Sequence, residues 1–337
     1  MPMTETPEVL IETPPLAGGA ADRVELLSDV LAHVRLSGAL YLRGRYSSPW
    51  ALDSPPSEEL VKLLAPGAQR LIPFHVVRRG RAWFEAGGLC VEASAGWLAV
   101  VPHADRHRMR GAGAVDAVPI ERLLPPQPWT QMPMCVVDGG GENTEVVCGY
   151  LRCNELLFNS LLVHLPPVFA VRPEGAAAGL IHAAVDYVME EPPIAGRREA
   201  PLLSRLPELL LVEALRLHGE AAPASNGWLA ATGDPIVGRA LRLLHDDPAH
   251  AWTVDALANR AATSRSVLDE RFRALLGRSP IRYLTEWRMQ IAADLLRSTS
   301  LTLAQVAERS GYSSDASFSR AFCRHVGVSP AQWRDMA

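Results

Sequence analysis

One lysine, Lys62, stands among 33 basic residues, so the positive charge of this chain is carried almost entirely by arginine. Cysteine is also scarce: five residues, an odd number without metal-like clustering, give no disulfide framework. No apolar run reaches the roughly eighteen residues that a membrane span needs. The richest stretch, 156–171, is interrupted by Asn159, His164 and the Pro166-Pro167 pair. No apolar leader segment follows Met1, which makes a cytoplasmic location, with no membrane contact, the expectation. Proline and glycine are frequent but not periodic, which excludes a fibrous repeat and points to loops.

What is present is enough for two cores. A chain of 337 residues with 48% hydrophobic content usually divides into two domains. Its net charge of -4 conceals an asymmetry. Residues 235–337 hold fourteen arginines against ten acidic residues, a balance of +4, and the remainder carries 19 basic against 27 acidic residues, a balance of -8. A basic module beside an acidic one suits a nucleic-acid reader attached to a domain that is not one.

The basic region contains one pattern written twice. The first copy runs Leu257, Ala258, Ala262, Ser264, Leu268, Phe272, Gly277, Pro280 and Tyr283. The second runs Val306, Ala307, Gly311, Ser314, Phe318, Phe322, Gly327, Pro330 and Trp333. The offset is forty-nine before the turn and fifty from Ser264 and Ser314 onward, so the second turn is one residue longer. Thr253, Thr302, Ser264 and Ser314 stand where helix N-caps belong. Leu268, Phe272 and Leu275, like Phe318, Phe322 and Val326, recur at helical spacing and predict an inward stripe. Gly277 and Gly327 are stop signals, and Pro280 and Pro330 open the next helices. Each copy therefore reads as a helix-turn-helix, with one amphipathic helix from about Ile281 to Arg297 joining them.

Two such copies in register resemble the AraC/XylS family of bacterial transcription regulators. The carrying stretches are WTVDALANRAATSRSVLDERFRALLGRSPIRYLTEWRMQIAADLL and LAQVAERSGYSSDASFSRAFCRHVGVSPAQWR, covering about Asp234 to Arg334. The resemblance implies double-stranded DNA as partner, with recognition helices over about Ser264 to Leu276 and Asp315 to Val326. Arg265, Ser266, Asp269, Glu270 and Arg273 lie on the polar face of the first, and Asp315, Ala316, Ser319, Arg320 and Arg324 on that of the second. Arg320 is the candidate for a bidentate contact to guanine. Asp269 and Glu270 are unusual where relatives carry basic or amide residues. Arg273, four residues after Asp269, and Arg265, four before it, are candidate partners for them.

The first half reads differently. Residues 1–22 have the composition of a disordered tail. From Leu71 to Cys153 short β-rich segments (LIPFHVV, RAWFEA, LCVEA, GWLAVVP, EVVCGYL) are punctuated by glycine or proline, which predicts a barrel or sandwich. Gly96, Pro102 and His107 fit the second cupin motif, with Ala104 where that motif has its second glycine. Over about Val24 to Pro167 the chain resembles the small cupin sensor domains of one AraC subgroup. That implies a small-molecule effector in a pocket lined by some of His75, Trp83, His103 and His107. The metal set of catalytic cupins is incomplete here, with no HxH pair and no glutamate at the expected spacing, so no metal and no cofactor are expected. Cys90, Cys135 and Cys148 are candidate oxidant-sensing thiols; Cys148 and Cys153, five apart on one strand, point to opposite faces and cannot pair locally.

After Pro167 the β character stops, and residues 176–190 and 201–217 form two apolar-faced helices. That face could cover its own barrel or meet the same helix of a second protomer. In the resembled family this position is a dimerisation element, which makes Leu203, Leu206, Leu210 and Leu217 candidate interface residues of a homodimer. The expected fold is α+β: a cupin-like effector domain over 23–170, a helical element over 171–218, a linker over 219–233, and an all-α domain with two helix-turn-helix motifs over 234–337. The expected function is a DNA-binding transcription regulator that is not an enzyme. The family's commoner mode is activation, with RNA polymerase as a further partner. The alternative from another class is a metal-dependent cupin enzyme with a helical appendage.

Overall fold

The computed structural model describes residues 25–30, 33, 37–66, 68, 70–127, 129, 132–153, 162–190, 201–221 and 226–336. The expected tail over 1–22 lies outside them. Residues 25–30 form a short helix, α1, and Ser57–Leu64 form a second, α2. Two sheets then face each other. The larger contains β1 (Ser37–Ser47), β3 (Arg70–Arg79), β6 (Leu98–Val100), β9 (Met134–Asp138), β10 (Asn143–Cys153) and β11 (Phe169–Val171), in the order β11-β6-β3-β10-β1-β9. The smaller contains β2 (Ala51–Ser54), β4 (Arg81–Ala86), β5 (Leu89–Ser94), β7 (His107–Arg110) and β8 (Val118–Pro119), in the order β5-β4-β7-β2-β8. Between them lies a core that includes Tyr46, Leu71, Val77, Phe84 and Met109.

The segment LIPFHVV shows no alternation because both faces of β3 are covered. Leu71, His75 and Val77 point into the barrel, while Ile72, Phe74 and Val76 point outward into a second core. That outer face is roofed by α3 (Gly175–Glu190) and α4 (Pro201–Ala221), with α4 crossing β1, β10 and β11. Leu210, Leu211, Ala214 and Leu215 are buried there, and Leu217 packs against the same core. The apolar face of α4 is thus used within the chain, which removes Leu210 and Leu217 from the expected protomer interface. The side chains of Leu203 and Leu206 lie outside the described residues.

Residues 219–233, read above as a linker, are only partly one. Their start continues α4, and Trp228–Gly233 forms α5, because Trp228 has a buried place to go. It packs beside α6 (Val237–Asp246), α8 (Arg265–Leu276) and α9 (Pro280–Ser298), and its Nε1 donates to the Tyr283 hydroxyl at 2.9 Å. The Tyr283 hydroxyl lies 2.8 Å from Nε2 of His245, whose Nδ1 lies 3.1 Å from the Asp29 carboxylate on α1. Tryptophan only donates and an ionised carboxylate only accepts, so the chain has one polarity: Trp228 to Tyr283, Tyr283 to His245, His245 to Asp29. His33 extends the junction, its ring edge-on to Trp287 and its carbonyl accepting from Gln290 at 3.0 Å. One continuous core consequently runs from the outer face of β3 through α4 into the first half of the helical domain.

The helical domain continues with α7 (Val254–Arg260), α10 (Leu303–Arg309), α11 (Asp315–Val326) and α12 (Pro330–Asp335). In the turns before α8 and α11, Ala262 (φ 55°) and Gly311 (φ 74°) occupy equivalent left-handed positions. Alanine tolerates that conformation at a cost of about 1 kcal/mol, and glycine does not incur it. Gly311→Ala should therefore lower the thermal unfolding midpoint of the full chain, because the new Cβ would also lie 2.7 Å from the Arg288 guanidinium carbon. Ala262→Gly should leave the midpoint level or raise it. Equal losses from the two exchanges, measured by circular dichroism melts, would contradict this account.

Candidate nucleic-acid interface and barrel interior

Local chemistry sets the two helix-turn-helix units. Thr253, Ser264, Thr302 and Ser314 each accept a backbone N–H three residues on, capping α7, α8, α10 and α11. Thr302 and Gln305 complete a capping box. Gly277 and Gly327 end α8 and α11 in the left-handed conformation, and Pro280 and Pro330 stand in the first turns of α9 and α12. Leu268, Phe272 and Leu276 are buried on α8, with Leu275 only partly so. Phe318 and Phe322 are buried on α11 within a separate core that includes Met289, Ala292, Leu296 and Trp333.

With those stripes inward, the opposite faces are polar and exposed. Arg265, Ser266, Glu270 and Arg273 are exposed on α8, and Asp269 is half-buried. Arg273 donates to Asp269 at 2.8 Å, as the spacing predicts, but Arg265 pairs with Asp255 of α7 at 3.3 Å rather than with Asp269. The preceding turn brings α7 within its reach. Arg271 is held by Asp234 at 2.9 Å. On α11, Asp315, Ala316, Arg320 and Arg324 are exposed and Ser319 is half-buried. Asp315 accepts the Ala316 N–H at 2.8 Å. Arg320 and Arg324 make no ion pair or side-chain hydrogen bond among the described residues. Cys323 is exposed on the same helix; it was not among the candidate thiols, and its position between Arg320 and Arg324 on a polar helix face was the available signal.

Inside the barrel, His75 and His107 meet each other. Their Nε2 atoms are 3.0 Å apart, His75 Nδ1 is 3.1 Å from Cys148 Sγ, and His107 Nδ1 is 3.3 Å from the Asp105 carbonyl. The carbonyl can only accept, so His107 carries its proton on Nδ1 and accepts on Nε2 from His75, which accepts in turn from the Cys148 thiol. Both imidazoles are neutral and their hydrogen-bonding capacity is consumed internally. The other two candidates are elsewhere. Trp83 points out of the barrel, because Ala82, Phe84 and Ala86 take the inward positions of β4, and the Arg110 and Arg81 guanidiniums lie 5.2 and 6.0 Å from its ring. His103 lies in a loop, where its Nε2 donates to the Leu165 carbonyl at 2.8 Å. Ala104 adopts φ 57°, so the backbone keeps the conformation that the motif's glycine favours. A cleft of about 380 Å³ opens at the barrel mouth, lined by Asp53, Glu85, Cys90, Arg106, His107 and Arg108.

The cysteine candidates share one electrostatic property. Burial pushes the Cys135 thiol up to about 11 and raises Cys148 further, while Cys90 is raised by burial and then by Glu85. All three are held away from the thiolate that reacts with oxidants. Among the described residues, no three His, Cys, Asp or Glu side chains converge to hold a metal. No described helix is long and apolar enough to cross a membrane.

The fold and these surfaces define a two-domain protein, a small cupin-type barrel joined to a tandem helix-turn-helix unit. Residues 25–220 match the model of the family described as Cupin, and residues 257–336 match the one described as Helix-turn-helix domain. An AraC-like transcription regulator of Streptomyces antibioticus is 43% identical over 178 residues, 52% of this chain and 58% of that one. The HTH-type transcriptional regulator AlkR of Acinetobacter baylyi is 31% identical over 184 residues, 54% and 58% of the two chains. An HTH-type transcriptional regulator of Haemophilus influenzae is 25% identical over 310 residues, 91% and 97% of the two chains. The alignment thus spans less than two thirds of the first two relatives' lengths. With the cupin match covering more than half of it, the chain belongs to that cupin family; a helix-turn-helix domain follows the barrel, and the relatives it resembles are named AraC-like and HTH-type transcription regulators.

Burial depresses both barrel imidazoles, His107 to about 4 from an ordinary 6.5, and His75 also through its neighbour His107. Between those values the unfolded chain binds more protons than the native one, so stability is lost as pH falls through that window. The urea midpoint should drop between pH 7 and pH 5, and His107→Gln should make the drop shallower. Parallel profiles for the two proteins would show that His107 does not contribute to it.

Proposed function

We propose that this chain is a cytoplasmic transcription regulator that binds double-stranded DNA with α8 and α11 in successive major-groove segments. The observation carrying this reading is the pair of capped helices with buried stripes and exposed polar faces, of which α11 presents Arg320 and Arg324 unpaired among the described residues. Arginine aimed into a groove can bind guanine O6 and N7 together, whereas an arginine already held by a carboxylate must first give up that pair. Arg320 is therefore the main base-reading residue, with Ala316 and Ser319 beside it. Arg265, Ser266, Asp269, Glu270 and Arg273 form the α8 surface, in which the arginines dock against phosphates.

The barrel has a regulatory role in this reading, with a small polar effector taken up at the cleft beside His107. The internal hydrogen bonding of His75, His107 and Cys148 supports a packed sensor rather than a catalytic centre. Activation through RNA polymerase and assembly as a homodimer follow from the family resemblance. The dimer surface is one other than Leu210 and Leu217, which α4 uses within the chain.

Competition binding on a randomised site library tests the assignment. Arg320→Ala should relax preference at one base pair by about 1–3 kcal/mol. Arg273→Ala should weaken binding about equally on all sequences. Uniform weakening by both exchanges would assign Arg320 to phosphate and place discrimination in DNA deformability.

The fragment 226–337, which retains Trp228, should bind DNA alone. Its log affinity should fall linearly with log salt concentration, since contacts to phosphate release counterions. A folded fragment without salt-sensitive binding would overturn the reading as a whole.

A further inference from the structure

Reading two DNA segments at once requires more than two exposed helices: their separation and rotational phase must match the duplex, in which one base pair corresponds to about 3.4 Å and 35°. In this chain α9 serves both units. Tyr283, Leu284, Trp287 and Ile291 belong to the core of the first, and Met289, Ala292, Ala293 and Leu296 to that of the second. A helix shared in this way holds the two cores on one rod but does not by itself fix a loop of one unit against a turn of the other.

Arg288, midway along α9, makes that connection. Its Nε donates to the Pro248 carbonyl at 2.6 Å and its Nη2 to the His250 carbonyl at 2.7 Å, both in the loop between α6 and α7 of the first unit. The same guanidinium lies flat over Gly311 in the turn of the second unit, where a Cβ would come within 2.7 Å of its central carbon. The planar fork satisfies two carbonyls at once, a geometry that a lysine ammonium cannot reproduce. Gly311, at φ 74°, supplies both the left-handed turn and the space for the guanidinium. None of these groups lies on the exposed faces of α8 or α11.

We propose that Arg288 is a positioning residue that sets the spacing and phase of the two recognition helices, and through them the length of spacer that the protein accepts between its two DNA segments. This rests on the DNA-reading role argued above. Loosening the contact frees the α6–α7 loop from the α10–α11 turn, so α8 and α11 sample a range of separations. Affinity for each segment taken alone is unchanged.

Two measurements on the full chain test it. The first uses duplexes selected by the wild-type protein from a randomised pool and resynthesised with one or two base pairs inserted or removed between the protected segments. Wild type should lose on the order of tenfold or more in affinity for each altered spacer. Arg288→Lys, which keeps the charge and stem, should bind all spacers within about threefold of one another, and Arg288→Met serves if the lysine variant folds poorly. A variant that retains the wild-type spacer preference overturns the proposal.

The second needs no DNA. Nitroxide labels at Cys323 and at Ser266→Cys, with Cys90 and Cys153 replaced by serine, report the distance between α11 and α8 by pulsed electron resonance. The distribution should be narrow with Arg288 and broad with either substitution. An unchanged width overturns the clamp even if spacer preference is altered. If no selected duplex is bound at all, the DNA-reading role fails while this distance measurement still decides what Arg288 does.

Discussion

The buried hydroxyl of Tyr283 is the point on which the two halves of the molecule depend. It receives the Trp228 N–H and gives its own proton to His245, which passes the polarity on to Asp29. Each group is a half-satisfied polar atom without the next, and an unmade hydrogen bond in such surroundings costs about 1–3 kcal/mol. Burial lowers the His245 pKa, and the Asp29 carboxylate acts in the opposite direction. A neutral His245 that accepts at Nε2 and donates at Nδ1 is the form this chain of bonds requires. Because Asp29 belongs to the barrel domain and Trp228, His245 and Tyr283 to the helical one, the domain junction is specified by direction as well as by apolar packing.

How much of this was legible in the sequence depended on the range of the interactions. Caps, stripes and stop glycines of the helix-turn-helix units are local, and Ser264, Phe272, Gly277 and their counterparts fifty residues on could be read directly. The barrel was legible as a class, but not which face of each strand turned inward. In RAWFEA two adjacent aromatics compete for the interior. Phe84 takes it because the flanking alanines share its face, and Trp83 is left under arginines from β4 and β7. The covering of β3 on both sides depends on α4, more than a hundred residues away, and no periodicity could announce it. Trp228 was the neglected signal in the supposed linker, since a tryptophan there needs a buried site.

The double helix-turn-helix repeat conceals a division that only packing reveals. The first unit shares its core with α4 and the outer face of β3, whereas the second has a core of its own. Arginines 265, 271 and 273 on α8 are each held by a carboxylate, while Arg320 and Arg324 on α11 are exposed. Exposed pairs of this kind are worth about 0–1 kcal/mol, so they do not forbid contact with phosphate, but each contact begins with an exchange of partners. The repeat thus supplies two equivalent scaffolds whose surfaces differ.

This divergence assigns the two units different physical tasks. A unit packed continuously against the barrel is the one whose position must respond when the barrel or α1 moves, because close-packed cores transmit displacement rather than absorb it. A unit with an independent core and unpaired guanidiniums is better suited to hold its geometry while it engages bases. Helix α9, with the Arg288 contacts, lies between them, so it is the rod that connects the Asp29–His245 junction to α11. On the proposed reading, this separation of the junction from the exposed face of α11 lets the barrel shift the first unit without placing any of its own residues near DNA.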